Sequence, residues 1–89
     1  MPVVVVPPPY RGPTQGQERI DVAGATVGEC LSRVGERFPG FSEQIFDAQG
    51  VVHRFVDLFI NGDQIERSEL DRPVEASDRV EILAAIAGG

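Results

Sequence analysis

The sequence predicts an α+β fold, a mixed sheet packed against one main helix. Three observations predict it. The chain opens on an unbroken valine run, Val3 to Val6, and ends on "RVEILAAI", both strand-like. Between them the segment "TVGECLSRVGERFPG" carries helical spacing. Later, two strand-like runs flank Asn61-Gly62, a dipeptide suited to a tight hairpin turn.

Each element follows in order. The valine run is expected to be a strand covered on both faces and central in its sheet. Pro7, Pro8 and Pro9 then forbid further pairing and begin a stiff loop through "YRGPTQGQ". "ERIDV", Glu18 to Val22, alternates polar and apolar residues and is expected to return antiparallel. Thr26 with Glu29 forms a capping box, in which hydroxyl and carboxylate each satisfy a backbone N–H left free by the first turn. Val27, Leu31, Val34 and Phe38 then make one apolar stripe, and Pro39-Gly40 stops the helix. Gly28 and Gly35 each weaken it by roughly 1 kcal/mol against alanine, which suggests close packing against the sheet.

"FSEQIFDAQG" is read as one short helical turn pinned by Ile45 and Phe46. A strand is expected from Val52 to Ile60, with a return strand from Gln64 to Glu66. "SELDRPVEASD" is an irregular crossing anchored by Leu70 and Val74. The order β-β-α-β-β-β, with the first strand beside the last, is the β-grasp arrangement. One domain, 1–85, and a flexible Gly-Gly tail, 86–89, are expected.

Composition narrows the function. A net charge of −6 disfavours nucleic acid as a partner. The apolar runs are too short to span a membrane and no export signal precedes them, so a cytoplasmic protein is expected. The single Cys30 and single His53 provide neither an internal disulfide nor a metal spacing. Cys30, beside the apolar stripe, is expected to be buried rather than to carry a persulfide. His53-Arg54 is expected to be solvated at a strand edge, with steering of an acidic partner loop as its alternative role. The carboxylates do not converge, so no catalytic residue, bound cofactor or metal is expected. All eight cations are arginine. A reactive C-terminus would benefit from the missing amines, although lineage bias explains them as well.

The terminal Gly88-Gly89 adds nothing to packing, since glycine loses the most backbone freedom on ordering. Joined to this strand order, and to "VHRFVDLFINGDQI" and "DRVEILAAIAGG", it resembles the ubiquitin-like sulfur-carrier proteins. That family includes the thiamin-thiazole carrier, the small subunit of molybdopterin synthase and the carrier serving cysteine biosynthesis. The His-Arg-Phe-Val run and the Ala-Gly-Gly end are most similar to the cysteine-biosynthesis carriers. "PPPYRGPTQGQ" lacks the first-hairpin pattern usual in the molybdopterin subunits.

The resemblance implies a non-enzymatic protein whose Gly89 carboxylate is adenylated, with ATP, by a ubiquitin-activating-type adenylyltransferase. Sulfide or a sulfur donor protein then converts it to a thiocarboxylate for a sulfur-accepting biosynthetic enzyme. Ile86, Ala87 and Gly88 would form the delivered tail. Phe59 and Leu83 match in position the exposed patch that ubiquitin presents to partners, and alternation places both on the outer sheet face. A protein modifier conjugated through Gly89, or a molybdopterin-synthase subunit, are the alternative expectations.

Overall fold

The computed structural model describes residues 1–85, and the predicted tail of Ile86, Ala87, Gly88 and Gly89 lies outside them. Five strands form one sheet: β1 (Val3–Val5), β2 (Arg19–Asp21), β3 (Val56–Ile60), β4 (Asp63–Ile65) and β5 (Arg79–Ala84). Two helices, α1 (Val27–Arg37) and α2 (Pro39–Ile45), separate β2 from β3. The spatial order is β2-β1-β5-β3-β4, with β1 and β5 parallel and the other neighbours antiparallel. First and last strands therefore pair as the sequence predicts.

One face of the sheet is dry. Val4, Val6, Ile20, Leu58, Val80 and Ile82 point from it toward Val27, Leu31, Val34, Phe41 and Ile45 on the helices, and all are buried. The other face is open. Val3 and Val5 point there and stay half-buried, so β1 is central in its sheet but covered on one face only. One helical layer covers one face of a mixed sheet, and a valine run in its middle does not need a second layer.

Local chemistry sets the helix ends. Thr26 Oγ1 accepts from the Glu29 N–H at 3.1 Å, as expected of a capping box. The Glu29 carboxylate reaches one residue further back than predicted, taking the Ala25 N–H at 2.8 Å. Phe38 before Pro39 leaves the helical region, at φ −135° and ψ 85°, and closes α1. Pro39 then opens a second helix of seven residues, longer than the single turn expected.

The glycines also resolve differently from expectation. A Cβ on Gly35 would overlap Ser42 on α2, and one on Gly28 would lie 3.0 Å from the Leu70 carbonyl oxygen. Both permit close approach, but to α2 and to the crossing segment rather than to the sheet.

The predicted strand from Val52 splits in two. Asp47 Oδ1 accepts from Gln49 and Val51 N–H groups at 2.8 and 3.0 Å, closing a tight loop that bridges Phe46 to Val52. A turn follows, with the Val56 N–H on the His53 carbonyl at 3.0 Å. In a continuous strand Arg54 would share the inward face of Val52 and Val56. The turn leaves it in solvent, as expected of Arg54, and β3 begins only at Val56.

The hairpin forms where expected: Asn61 and Gly62 take φ of 51° and 89°, the left-handed values of a tight hairpin turn. Asn61 also ties this turn to β5. Its Nδ2 donates to Asp78 Oδ1 at 2.9 Å, and the Arg79 N–H donates to its Oδ1 at 2.8 Å. Asp78 Oδ2 accepts from the Glu75 N–H at 2.8 Å.

These bonds to Asp78, the backbone one first, hold its carboxyl below the ordinary carboxylate range. The unfolded chain then takes up this proton first as pH falls, so the stabilisation is full above the ordinary value and is lost below it. Asp78→Asn leaves one acceptor oxygen for two donors, Asn61 Nδ2 and the Glu75 N–H, so one of these bonds is lost. It is expected to lower stability at neutral pH and to flatten the loss of stability below about pH 4. Urea midpoints measured at neutral and acid pH check this, and equal destabilisation at both would refute it.

Candidate functional site

The site expected from the sequence is the C-terminal segment, and its root is where β5 ends. β5 lies between β1 and β3, so both of its edges are hydrogen-bonded. Its last rung with β3 is Val56 opposite Ala84. One residue on, the Ala85 N–H donates to the Phe55 carbonyl at 2.6 Å. The sheet therefore holds the described chain up to Ala85, beside Phe55. Gly89, Gly88, Ala87 and Ile86, the predicted reactive group and delivered tail, lie outside the described residues.

Cross-strand register arranges the outer face around that root. Arg19, Val5, Glu81, Phe59 and Gln64 form one row across all five strands. Leu83 pairs with Asp57 in the next row toward the tail. Phe59 and Leu83 are thus diagonal neighbours, about 7–8 Å apart at their backbones.

They are not equivalent. Leu83 is 49% exposed, whereas Phe59 is only half-buried among its neighbours and is not an open aromatic. The exposed aromatic at this end is Phe55, at 51%. The Arg54 guanidinium lies 5.3 Å from the Phe55 ring centroid. Sequence reasoning singled out Arg54 as solvated but overlooked Phe55 beside it, because it took Phe59 as the outer-face aromatic.

The charges beside the patch are largely engaged. Arg67 pairs with Asp57 at 3.4 Å and Arg79 with Glu81 at 3.5 Å. Glu81 also accepts from the Gly62 N–H at 3.0 Å. Exposed pairs of this kind add little stability, but they fix side chains around the apolar positions.

No group of three or more His, Cys, Asp or Glu side chains suited to a metal occurs among the described residues. Cys30 is buried in the core. Burial first, and then the Glu29 carboxylate, push its thiol up, so the reactive thiolate is disfavoured. No helix among the described residues is long and apolar enough to cross a membrane.

A mixed sheet covered by helices on one face, with its first and last strands paired in parallel, defines a ubiquitin-like β-grasp protein. The sequence model of the ThiS family matches residues 4–89, and the chain belongs to that family, whose members are sulfur carriers. A protein of Archaeoglobus fulgidus, provisionally named a sulfur carrier protein, is 29% identical over 76 residues, covering 84% of this chain and 86% of that one.

Among solved structures, CysO of Amycolatopsis orientalis, determined in complex with BexX, superposes with a TM-score of 0.88. It is 29% identical, with both chains fully covered. CysO of Mycobacterium tuberculosis, described as an antigen, gives 0.86 at 30% identity, over 97% of this chain and 100% of that one.

Proposed function

We propose that this sulfur carrier works through the carboxylate of Gly89, activated by ATP and loaded as a thiocarboxylate. A carboxylate is a poor electrophile at neutral pH. A carboxylate oxygen of Gly89 attacks the α-phosphorus of ATP, pyrophosphate leaves, and the product is an acyl-adenylate. Sulfide then attacks the acyl carbon and AMP departs, leaving sulfur in place of one oxygen. The carrier performs none of these steps; a ubiquitin-activating-type adenylyltransferase performs the first. The loaded sulfur passes to a biosynthetic enzyme making cysteine or another sulfur-containing metabolite.

The observation that carries this reading is the family match, which runs to residue 89 and so includes the glycine pair. Geometry supports it: β5 hands the chain out at Ala85, beyond the last rung, with Leu83 and Phe55 exposed beside the exit. Glycines lack a Cβ, so a Gly-Gly end suits a narrow channel in a partner.

Intact-mass measurement of the protein isolated from its own host tests the proposal. A species heavier by the difference between sulfur and oxygen, localised to Gly89, is expected. A ladder of conjugates through Gly89 with no such species would instead identify a protein modifier and overturn it.

A further inference from the structure

We propose that Arg54 and Phe55 form the rim against which the ATP-dependent activating enzyme closes when it takes the tail. This rests on the reading of Gly89 as the activated group. The sheet holds the chain as far as Ala85, whose N–H is bonded to the Phe55 carbonyl. Gly89 stands four residues beyond Ala85. Fully extended, four residues reach about 14 Å. A pocket that encloses the Gly89 carboxylate therefore lies within that distance of Ala85, and the enzyme around it presses on whatever flanks Ala85.

What flanks Ala85 is Phe55, 51% exposed, with Leu83, 49% exposed, two residues back on β5. Arg54, exposed, stands over the Phe55 ring at 5.3 Å. None of the ion pairs among the described residues includes Arg54.

A guanidinium stacked on an aromatic ring is already ordered, so it loses little freedom when a partner carboxylate meets it. The chain as a whole carries −6 and repels a broadly acidic surface. The complementary surface is accordingly an apolar depression for the Phe55 ring with a single carboxylate at its edge for Arg54. Both residues lie on the turn before β3, beside the exposed Leu83.

ATP–pyrophosphate exchange by the host's activating enzyme, with the full-length carrier as the varied substrate, tests this. Arg54→Glu and Phe55→Ala are each expected to raise the KM for the carrier about tenfold and to leave kcat unchanged. Arg33→Glu makes the same charge change on α1, remote from the tail root, and is expected to leave KM unchanged. Phe55→Leu is expected to restore much of the loss. Thermal melts matching the parent show that the variants are folded.

An unchanged KM for Arg54→Glu or Phe55→Ala overturns the proposal while the exchange itself upholds activation of Gly89. An equal rise for Arg33→Glu also overturns it, assigning the effect to net charge. Impairment confined to sulfur delivery assigns the rim to the acceptor enzyme and overturns it too. Absence of exchange with the parent chain sinks the carrier reading, and the rim with it.

Discussion

Deleting Gly89 is expected to abolish adenylation and sulfur loading completely while leaving the fold unchanged. Activation requires a carboxylate at the point the partner's catalytic groups reach, and removing one residue withdraws it by about 3.5 Å. A shift of 1 Å in a reacting group can already cost on the order of a hundredfold in rate. The new terminal carboxylate, on Gly88, is chemically the same but misplaced. Stability should not follow activity, because every buried side chain of the described core lies between Pro2 and Ile82. Pyrophosphate exchange and a thermal melt on the same preparation separate the two effects. A truncated protein that still loads sulfur would end the proposal that Gly89 is the carrier group.

Leu31→Ala is expected to do the opposite. Leu31 is fully buried on α1 among Val27, Val34 and the inner face of the sheet. Removing its branched end leaves a cavity that close-packed neighbours refill only in part, at a cost of about 2–5 kcal/mol. For a small domain that is a large share of total stability. Leu83→Ala, by contrast, removes an exposed side chain and should change stability by less than about 0.5 kcal/mol. It should weaken binding to the activating partner by about 1–3 kcal/mol if Leu83 anchors that contact. Phe59→Ala should fall between them, since its ring is half-buried rather than open. Urea denaturation and carrier KM values, measured in parallel, check the ordering. Equal destabilisation at Leu31 and Leu83 would mean that the faces of β5 are inverted.

Much of the fold was legible because the signals are local. The Thr26–Glu29 cap, the stripe from Val27 to Phe38, the break at Pro39 and the Asn61-Gly62 turn each depend on a few consecutive residues. The failures arose where a segment had two competing local readings. Val52 to Ile60 looks like one strand, but Asp47 captures the backbone of Gln49 and Val51 and sets up a turn before β3. Pro39 stops α1 as expected, but proline is also a favoured first residue of a new helix, so the expected single turn becomes the seven-residue α2.

The candidate site divides along the same line. That the chain ends on two glycines after a strand is written in the sequence, and so is the alternation that turns Val80 and Ile82 inward and Leu83 outward. Those properties depend on residue type and on a period of two, which a strand carries with it wherever it pairs. Which outer-face aromatic meets solvent was decided only by tertiary structure. Phe59 stands in a row between Gln64 of its own hairpin and Glu81 of the sequence-remote β5, and is half-covered. Phe55 lies one residue before the first rung of β3 and keeps half its surface open, beside the exit of the chain. Exposure is set by what neighbouring strands place alongside a residue, and no periodicity within its own strand records that.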